Sequence, residues 1–315
     1  GVSFYDYNDS LSQVDNQIFK TVNNITINSP KKIKFKGTKA FVIAENSIVT
    51  ANINTFEQRG EVSGFVNPVD FDFVTPDDRI FVLDRDDSKV KVVDINRMEI
   101  TSDIETGDNT NPVFIVSRWH RAMVMNGGAE ADSLKDSTIV AIDYKDDLVA
   151  LADFMGSLIV GDNPNSAVNI NNLQVLCKGI YDPNDLSTKT SAKLVTASPW
   201  NMTILASQDL VGIYNANNLT SNSSGSFLFF TAEDGVYSMN ENGTGVTQVL
   251  SMISDVLHVR SEQYNPTDTT FATSNMLYVN DAINSPNTIY KYNLVLSSFV
   301  DTIIVDSNVK HINFY

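Results

Sequence analysis

The sequence repeats a short apolar run that ends in a polar turn: Phe41-Val42-Ile43-Ala44-Glu45, Phe81-Val82-Leu83-Asp84, Met123-Val124-Met125-Asn126, Phe229-Phe230-Thr231-Ala232 and Leu277-Tyr278-Val279-Asn280. The first three runs begin 40 and 42 residues apart. Each run is rich in β-branched, aromatic or other apolar residues, which at this length is typical of a β-strand. A period of about 20–50 residues indicates a fold built from one recurring unit.

Each of these runs has neighbouring predicted strands on both sides. A further strand, introduced by a Pro or Ser turn, begins three units: Pro68-Val69-Asp70-Phe71, Pro112-Val113-Phe114-Ile115 and Ser166-Ala167-Val168-Asn169. Another strand follows it at residues 47–51, 89–94, 138–143, 236–238 and 288–292. A hairpin turn and one more strand complete the unit, so the unit has four strands.

Four-stranded units of about 45 residues are the blades of a β-propeller, and seven of them fit 315 residues. Residues 309–315 look like a leading strand with no blade after it, while residues 3–7, 11–14 and 18–22 look like the three strands that are missing from it. We therefore predict an all-β fold. It is a seven-bladed β-propeller forming a single domain over residues 1–315, closed by N- and C-terminal strands that share one blade. A pair of β-sandwiches is the alternative.

One turn is repeated almost unchanged before two of the leading strands. Gly107-Asp108-Asn109-Thr110-Asn111-Pro112 returns 54 residues later as Gly161-Asp162-Asn163-Pro164-Asn165-Ser166. Asparagine and glycine tolerate left-handed backbone conformations, and Asn and Asp side chains bond to nearby backbone. The repeat predicts the same tight turn at the same place in consecutive blades.

The charge balance argues against two classes of partner. The chain has 22 basic and 38 acidic residues, a net charge of −16, so its field repels nucleic acid and anionic lipid. No apolar run reaches the roughly 18 residues that a membrane-spanning helix requires. We expect no nucleic-acid partner and no direct membrane insertion of this chain.

The segment Val92-Val93-Asp94-Ile95, with Glu99-Ile100-Thr101, Ile104, Gly107 and Pro112 after it, resembles the repeat of YncE-like (YVTN-type) seven-bladed propellers. Leu277-Tyr278-Val279-Asn280-Asp281 resembles the tetrapeptide that names the family. The units at residues 173–207 and 209–250 depart from the pattern. Acidic, Asn-rich members of this kind resemble exported surface lipoproteins of Bacteroidota-type bacteria. The resemblance implies export to the cell surface or periplasm and an outer-membrane transporter or other surface protein as neighbour.

Few residues offer catalytic or metal chemistry. The three histidines, His120, His258 and His311, have no catalytic or zinc spacing, and Cys177 lies in a predicted buried strand. His258 and His311 fall on predicted innermost strands, where they contribute with Asp70 and Asp72 either to a polar channel or to a weak metal site, or else simply bond between blades. We predict no catalytic residue, no metal and no cofactor.

Two surfaces are candidate binding sites. Loops between blades share one face with loops between second and third strands, and this face is predicted to carry Phe65, Asn67, Asp84, Arg85, Asp108, Asn109, Asn111, Asp162, Asn163 and Asn165. Their amides and carboxylates suit a small polar ligand, and Phe65 suits stacking on a ring. The opposite face carries Arg118, Trp119 and Arg121, residue types that are enriched at protein interfaces.

The predicted function is therefore binding rather than catalysis. The first hypothesis is a surface or periplasmic propeller that captures a small polar molecule or nutrient on its loop face. The alternative is a protein-docking scaffold of a cell-surface assembly. A lactonase-like hydrolase is a further alternative, which the missing Gly-x-Ser-x-Gly motif disfavours.

Overall fold

The computed structural model describes residues 1–6, 13–74, 78–106, 111–128, 136–144, 152–182, 185–251, 253–263 and 273–315. Near the N-terminus lie β1 (Phe4–Tyr5), β2 (Val14–Asp15) and the helix α1 (Ile18–Asn23). The rest of the described chain forms six antiparallel four-stranded sheets in sequence, called blades 1 to 6 below, and one two-stranded hairpin.

The blades have the following strands. Blade 1 contains β3 (Lys32–Lys36), β4 (Lys39–Ile43), β5 (Ser47–Asn52) and β6 (Gln58–Ser63). Blade 2 contains β7 (Pro68–Val74), β8 (Arg79–Asp84), β9 (Lys89–Asp94) and β10 (Glu99–Glu105), with a 3-10 helix at Arg85–Asp87. Blade 3 contains β11 (Pro112–Arg118), β12 (Arg121–Asn126), β13 (Thr138–Tyr144) and β14 (Ala152–Ile159).

The second half of the chain continues the series. Blade 4 contains β15 (Pro164–Asn169), β16 (Leu173–Cys177), β19 (Ala192–Ser198) and β20 (Thr203–Leu210), with the hairpin β17 (Ile180–Asp182) and β18 (Asp185–Thr190) inserted after β16. Blade 5 contains β21 (Asn217–Ser221), β22 (Phe227–Ala232), β23 (Gly235–Asn240) and β24 (Thr247–Ser251). Blade 6 contains β25 (Asp255–Gln263), β26 (Thr273–Asp281), β27 (Ser285–Asn293) and β28 (Ser298–Ile304).

The second and third strands of each blade form its centre. The predicted repeat runs are the second strands β4, β8, β12, β22 and β26, and all six residues of β12 are buried. These strands are apolar on both faces because a neighbouring blade covers each face. In contrast, seven of the eight residues of β20, a fourth strand, are exposed. The predicted four-stranded unit is confirmed.

Proline begins the first strand of three consecutive blades. Pro68, Pro112 and Pro164 are each the first residue of the strand, and a shift in register follows each of them. Proline has no N–H to donate and is tolerated at the start of a strand. In the turn before Pro164, Gly161 has φ +148° and Asn163 has φ +55°, so the predicted tight turn does use positive φ.

First strands of successive blades lie side by side around the centre, from β7 through β11, β15 and β21 to β25. The same type of hydrogen bond links the inner segments of neighbouring positions at three places in the described chain. In each, a side chain on one inner segment accepts a hydrogen bond from a backbone N–H of the next. These bonds run from Ile115 to Asp70, from Leu219 to Ser166, and from Ile33 to His311. Residues 309–315 therefore occupy an inner position between blade 6 and blade 1.

The number of complete blades differs from the prediction. The described residues form six four-stranded sheets, and the seventh position, here called the terminal wedge, contains only residues 1–6 and 13–24 and residues 305–315. Tyr5 and Ile312 pack in the same apolar cluster, but they do not share a sheet. Residues 18–22, predicted to be a strand, lie in the helix α1. The described chain therefore shows six complete blades where seven were predicted, because the N-terminal and C-terminal segments pack together without sharing a sheet.

Among the described residues, seven apolar clusters fill the junctions around the ring. Blades 3 and 4, for example, meet through Met123, Ile139 and Leu173, all fully buried. Cys177 belongs to this cluster, and burial raises the pKa of its thiol to about 12. The predicted buried strand for Cys177 is confirmed, with its end at this residue.

Candidate functional site

The two ends of the ring are chemically different. Antiparallel strands alternate in direction, so turns between first and second strands lie at the same end as turns between third and fourth strands. This end, which carries residues 119–120 and 199–202, is called the tryptophan face. The other end, which carries the turns before Pro68, Pro112 and Pro164, is called the proline face.

On the proline face, blade 2 uses several predicted ligand residues to build its own turn. The carboxylate of Asp84 is fully buried and accepts the backbone N–H groups of Val66 and Asn67, at 2.9 and 2.6 Å. Phe65 is 6% exposed and packs in the core between blades 1 and 2. Neither side chain is presented to a ligand in this arrangement.

Asn67 and Arg85 remain closer to solvent, and both side chains bond to Asp86. Asn67 Oδ1 accepts from Lys31 Nζ at 2.6 Å, and Asn67 Nδ2 donates to Asp86 Oδ2 at 2.9 Å. Arg85 Nε lies 3.0 Å from Asp86 Oδ1. This small charged cluster is the part of the predicted loop site that blade 2 leaves accessible.

Blade 4 holds the second group of predicted ligand residues. Asn163 Nδ2 donates to the Gly179 carbonyl at 2.9 Å, and Asn165 Nδ2 donates to the Ala216 carbonyl at 2.6 Å. Asp162 Oδ2 accepts from the Thr190 hydroxyl at 2.7 Å. Asn163 Oδ1 is buried and has no hydrogen-bond partner among the described residues. These side chains join the blade 4 hairpin and blade 5 to the turn.

The other predicted ligand residues precede the first strand of blade 3 in the sequence. Asp108 and Asn109 lie outside the described residues, while Asn111 precedes β11 and is partly exposed. The predicted loop site therefore resolves into separate groups on blades 2, 3 and 4. Most of the described polar atoms are already used in hydrogen bonds within or between blades.

The tryptophan face carries the two tryptophans of the chain, stacked on each other. Trp119 lies in the two-residue turn between β11 and β12, and Trp200 lies in the turn between β19 and β20. The ring centroids are 5.5 Å apart at an interplanar angle of 29°. Trp119 is 60% exposed and Trp200 is 37% exposed. Two large aromatic rings from different blades thus form one solvent-facing surface.

Two arginines flank this stack. The guanidinium of Arg118 lies 5.0 Å from the Trp119 ring, and that of Arg121 lies 5.1 Å from the Trp200 ring. Such cation–π contacts are worth about 0.5–1 kcal/mol when exposed and about 2 or more when desolvated. We call the set Arg118, Trp119, Trp200 and Arg121 the tryptophan–arginine column.

Arg121 is a buried positioning residue rather than a surface contact. Its guanidinium pairs with both carboxylate oxygens of Asp143 and donates to the carbonyls of Pro199 and Trp200, each at 2.7 Å. Arg121 is only 7% exposed, so its predicted role in direct docking does not match its position. It fixes the turn that carries Trp200.

Arg118 has a similar role at the surface. Its Nη1 donates to the carbonyls of Ile170 and Asn171, at 2.6 and 3.2 Å, which ties blade 3 to a turn of blade 4. Trp119 itself has φ +56°, a left-handed conformation that is an outlier for a bulky residue. Such strain persists where the surrounding contacts impose it, and it is concentrated at functional sites.

Sequence reasoning missed Trp200. It follows Pro199 in the turn between the third and fourth strands of blade 4. The alternation of strand direction places that turn on the same face as Trp119. The predicted order of strands was therefore enough to place both tryptophans on one face. The short distance between the two rings depends on the junction of blades 3 and 4.

His258 and His311, predicted to lie near the axis, contact residues of neighbouring inner segments. His311 Nδ1 accepts the Ile33 N–H at 3.4 Å, and burial followed by the charge of Lys32 lowers the pKa of His311 to about 3. The His258 ring lies 5.0 Å from Phe314, and burial lowers its pKa also. Both rings line a cavity of about 330 Å³ beside Lys34.

The acidic residues of the same region are ion-paired. Asp70 is 1% exposed and lies 2.7 Å from Lys32 Nζ, while Asp72 lies 3.1 Å from Lys34 Nζ. Within the part of the chain that the structure describes, no group of three His, Cys, Asp or Glu residues is arranged to hold a metal ion. The geometry matches the polar, inter-blade hydrogen-bonding interpretation of these residues.

The comparisons with known proteins support the fold only. No protein-family model matches the sequence, and no curated protein matches it. Among solved structures, Kuenenia stuttgartiensis hydrazine synthase matches with a TM-score of 0.67 and 14% identity, over 91% of this chain and 90% of that one. The β-propeller domain of Myceliophteria thermophila Cps50 (Swd1) matches with a TM-score of 0.61 and 11% identity, over 89% and 87%. The chain has the fold of a β-propeller with four-stranded antiparallel blades.

Proposed function

We propose that this protein is a non-catalytic binding propeller that docks a partner protein through its tryptophan face. The observation that carries the proposal is the exposed stack of Trp119 on Trp200, backed by the buried pair Arg121–Asp143. Tryptophan and arginine are enriched among the residues that dominate interface energetics. A rigid, pre-positioned aromatic surface also loses little side-chain entropy when a partner binds.

The charge of the site bears on the partner. The whole chain has a net charge of −16, yet Arg118 and the exposed His120 lie beside the stack. A partner with an apolar centre for the two rings and acidic residues around it complements this local surface.

The resemblance to YncE-like propellers suggests where such docking takes place. We infer a YncE-like propeller, exported to the cell surface or periplasm as a surface lipoprotein, with an outer-membrane transporter or another surface protein as partner. The repeat residues of blade 2 and the Leu277-Tyr278-Val279-Asn280 strand support this inference. In the described part of the chain, no helix combines the length and apolarity needed to cross a bilayer.

The test uses the tryptophans as both the site and the probe. The native assembly is crosslinked through a photoreactive residue at His120, and the crosslinked partner is identified and purified. We expect Trp119→Ala with Trp200→Ala to weaken binding of that partner by at least about 100-fold, because two hot-spot side chains are lost. Binding is measured by calorimetry and by tryptophan emission of the parent protein.

The matched control removes exposed apolar side chains from the proline face. Val211 and Ile283 are 85% and 83% exposed, so Val211→Ser with Ile283→Ser removes comparable surface elsewhere. This variant should bind like the parent. If both double variants bind the partner equally, or if no protein crosslinks at His120, docking at the tryptophan face is wrong.

Capture of a small polar molecule on the proline face is the second candidate. The observation in its favour is Asn163 Oδ1, a buried acceptor without a partner in the described chain, close to Asp162. Most buried polar atoms have a hydrogen-bond partner, so an unpaired acceptor is a position where a polar ligand can bond. Replacing Asp108, Asn109, Asp162 and Asn163 together should abolish capture of a co-purified metabolite, detected by mass spectrometry, while the tryptophan-face variant retains it.

A further inference from the structure

The cavity of about 330 Å³ beside His258 and His311 lies on the inner side of the ring. It is lined by residues of four neighbouring inner segments: β3 of blade 1, β7 of blade 2, β25 of blade 6 and residues 311–313 of the terminal wedge. Pockets that bind small molecules have volumes of about 300–1,000 Å³. This cavity, called the axial cavity below, is therefore large enough for a small ligand.

His311 offers a hydrogen-bond donor at the axial cavity. Its Nδ1 accepts the backbone N–H of Ile33 at 3.4 Å, so Nδ1 carries no proton. Burial lowers the pKa of His311 to about 3, which keeps the ring neutral near pH 7 and places its single N–H at Nε2. Within the described chain, no group accepts a hydrogen bond from this Nε2–H. The donor therefore remains for a molecule in the cavity.

His258 adds a second imidazole to the same wall. Its ring centroid lies 5.0 Å from that of Phe314, and neither ring nitrogen is hydrogen-bonded to another described residue. Burial and then the charge of Arg260 lower the pKa of His258, so this ring is also neutral near pH 7 and carries one N–H. Two imidazoles with an unpaired N–H favour a ligand that has acceptor atoms.

Lys34 brings a positive charge to the cavity wall, and the carboxylates near it already have partners. Asp70 lies 2.7 Å from Lys32 Nζ and accepts two backbone N–H groups. Asp72 lies 3.1 Å from Lys34 Nζ and accepts one backbone N–H group. In this network two lysines balance two carboxylates. The imidazole N–H groups are left for a ligand, because the carboxylates bond to other donors.

A second network, on β25 and β27, has a positive excess. Glu262 lies 3.6 Å from Arg260 Nε and 2.5 Å from Lys291 Nζ, so two cations share one carboxylate. Arg260 follows His258 by two residues and lies on the same face of β25. The two networks together contain four cations and three carboxylates, although the whole chain has a net charge of −16. This local excess favours one negative charge in the axial cavity.

The size and the remaining wall of the cavity define the rest of the ligand. Phe73 and Ile312 make part of the wall apolar. A volume of about 330 Å³ equals that of roughly eleven water molecules at about 30 Å³ each, which corresponds to an organic molecule of about ten non-hydrogen atoms. A charged group is buried at low cost only when it is paired and hydrogen-bonded, and the imidazole N–H groups and Lys34 supply those contacts.

We propose that the axial cavity binds a small organic monocarboxylate. Its carboxylate accepts hydrogen bonds from His258 and His311 beside the ammonium group of Lys34. The apolar part of the ligand packs against Phe73 and Ile312. The site is separate from the tryptophan–arginine column, so this proposal does not depend on docking at that face.

The test compares two probes that differ in charge. Benzoate and benzamide have the same number of non-hydrogen atoms and nearly the same shape, but only benzoate is negatively charged at pH 7. We expect the full chain to bind benzoate with a dissociation constant of about 1 mM or lower, measured by calorimetry. Benzamide should bind at least about tenfold more weakly, because it lacks the charge.

Two histidine variants localise the site. His258→Phe keeps an aromatic ring beside Phe314 and removes both ring nitrogens, so it should weaken benzoate binding at least about tenfold. His311→Asn keeps an acceptor for the Ile33 N–H but loses the Nε2–H, and it should have a similar effect. The matched control is His120→Asn on the exposed tryptophan face, which should bind benzoate like the parent.

The imidazole signals of the unaltered protein give a measurement that does not depend on the folding of any variant. In nuclear magnetic resonance spectra, benzoate should shift the ring ¹⁵N signals of His258 and His311 and leave those of His120 unchanged. Trp119→Ala with Trp200→Ala should bind benzoate like the parent. This variant separates failure of the present proposal from failure of docking at the tryptophan face.

Three results overturn the proposal. Absence of benzoate binding at about 10 mM excludes the site, and equal affinity for benzamide excludes recognition of the charge. His311 also lines a larger cavity of about 1090 Å³ in the terminal wedge, whereas His258 lines the axial cavity. Benzoate binding that His258→Phe leaves unchanged therefore places the ligand outside the axial cavity.

Discussion

The junction between blades 3 and 4 is filled by side chains, whereas the terminal wedge is only partly filled. At the first, two complete sheets meet through Met123, Ile139 and Leu173, with a buried ion pair and the tryptophan stack at its end. At the second, short segments from both ends of the chain leave a cavity of about 1090 Å³. The difference shows that a ring closes when every junction is covered, even if one position lacks its full sheet.

The largest effect is expected at the well-packed junction. Arg121→Ala leaves Asp143 buried and unpaired, which should lower the free energy of unfolding by about 3–5 kcal/mol. Urea denaturation followed by circular dichroism measures it. The paired change Arg121→Met with Asp143→Leu should recover most of the loss, since no buried charge remains. A loss below about 1 kcal/mol for Arg121→Ala contradicts the assigned role.

The same substitution, isoleucine to alanine, at the junction of blades 3 and 4 and at the terminal wedge tests the difference in packing directly. Ile139→Ala, facing blade 4, should cost about 2–5 kcal/mol because it opens a new cavity in a filled core. Ile303→Ala, facing the terminal wedge, should cost less than about 2 kcal/mol, since its surroundings already contain empty space. The same denaturation measurement applies to both. Equal costs would mean that the wedge is as well packed as the other junctions.

Lowering the pH should reduce the free energy of unfolding through His311, which lies in the terminal wedge. Burial and then Lys32 lower the pKa of His311 to about 3, whereas an unfolded histidine titrates near about 6.5. Between these values the unfolded chain binds a proton that the folded chain does not, so the free energy of unfolding falls by about 1.4 kcal/mol per pH unit below pH 6.5. Above that pH His311 has no such effect.

The measurement compares the parent with His311→Asn, which keeps an acceptor near the Nδ1 position and does not titrate. The parent should lose more stability than the variant between pH 6.5 and pH 4.5. Asp255 acts in the opposite direction, because burial raises its pKa to about 6, but it is present in both proteins and cancels in the difference. Parallel pH profiles would show that His311 is not held neutral.

The smallest expected effect is at the exposed end of the tryptophan stack. Trp119→Asn removes the ring contact, worth about 0.5–1.5 kcal/mol, and relieves about 1–2 kcal/mol of left-handed strain, so the melting temperature should barely change. Partner binding should nevertheless be lost. A large drop in melting temperature would make Trp119 a structural residue rather than a docking one.

The sequence predicted the blade as a unit because strand patterns are local. The second strands were located from apolar runs such as Phe81-Val82-Leu83-Asp84, and Pro68, Pro112 and Pro164 do begin first strands. The binding residues were harder to predict. Asp84, Asn163 and Asn165 were expected to face a ligand, but their hydrogen bonds go to backbone groups of their own turns and of neighbouring segments.

By itself the sequence determined that the chain is built from four-stranded units around a ring, because alternation, turn residues and period are properties of neighbouring residues. Only the tertiary structure decided that six of these units are complete in the described chain, that Trp119 meets Trp200, and that residues 1–6 and residues 309–315 line the same cavity. Each of these outcomes depends on side chains far apart in sequence. Their fit is set by volume and geometry after the blades assemble, which no local pattern specifies.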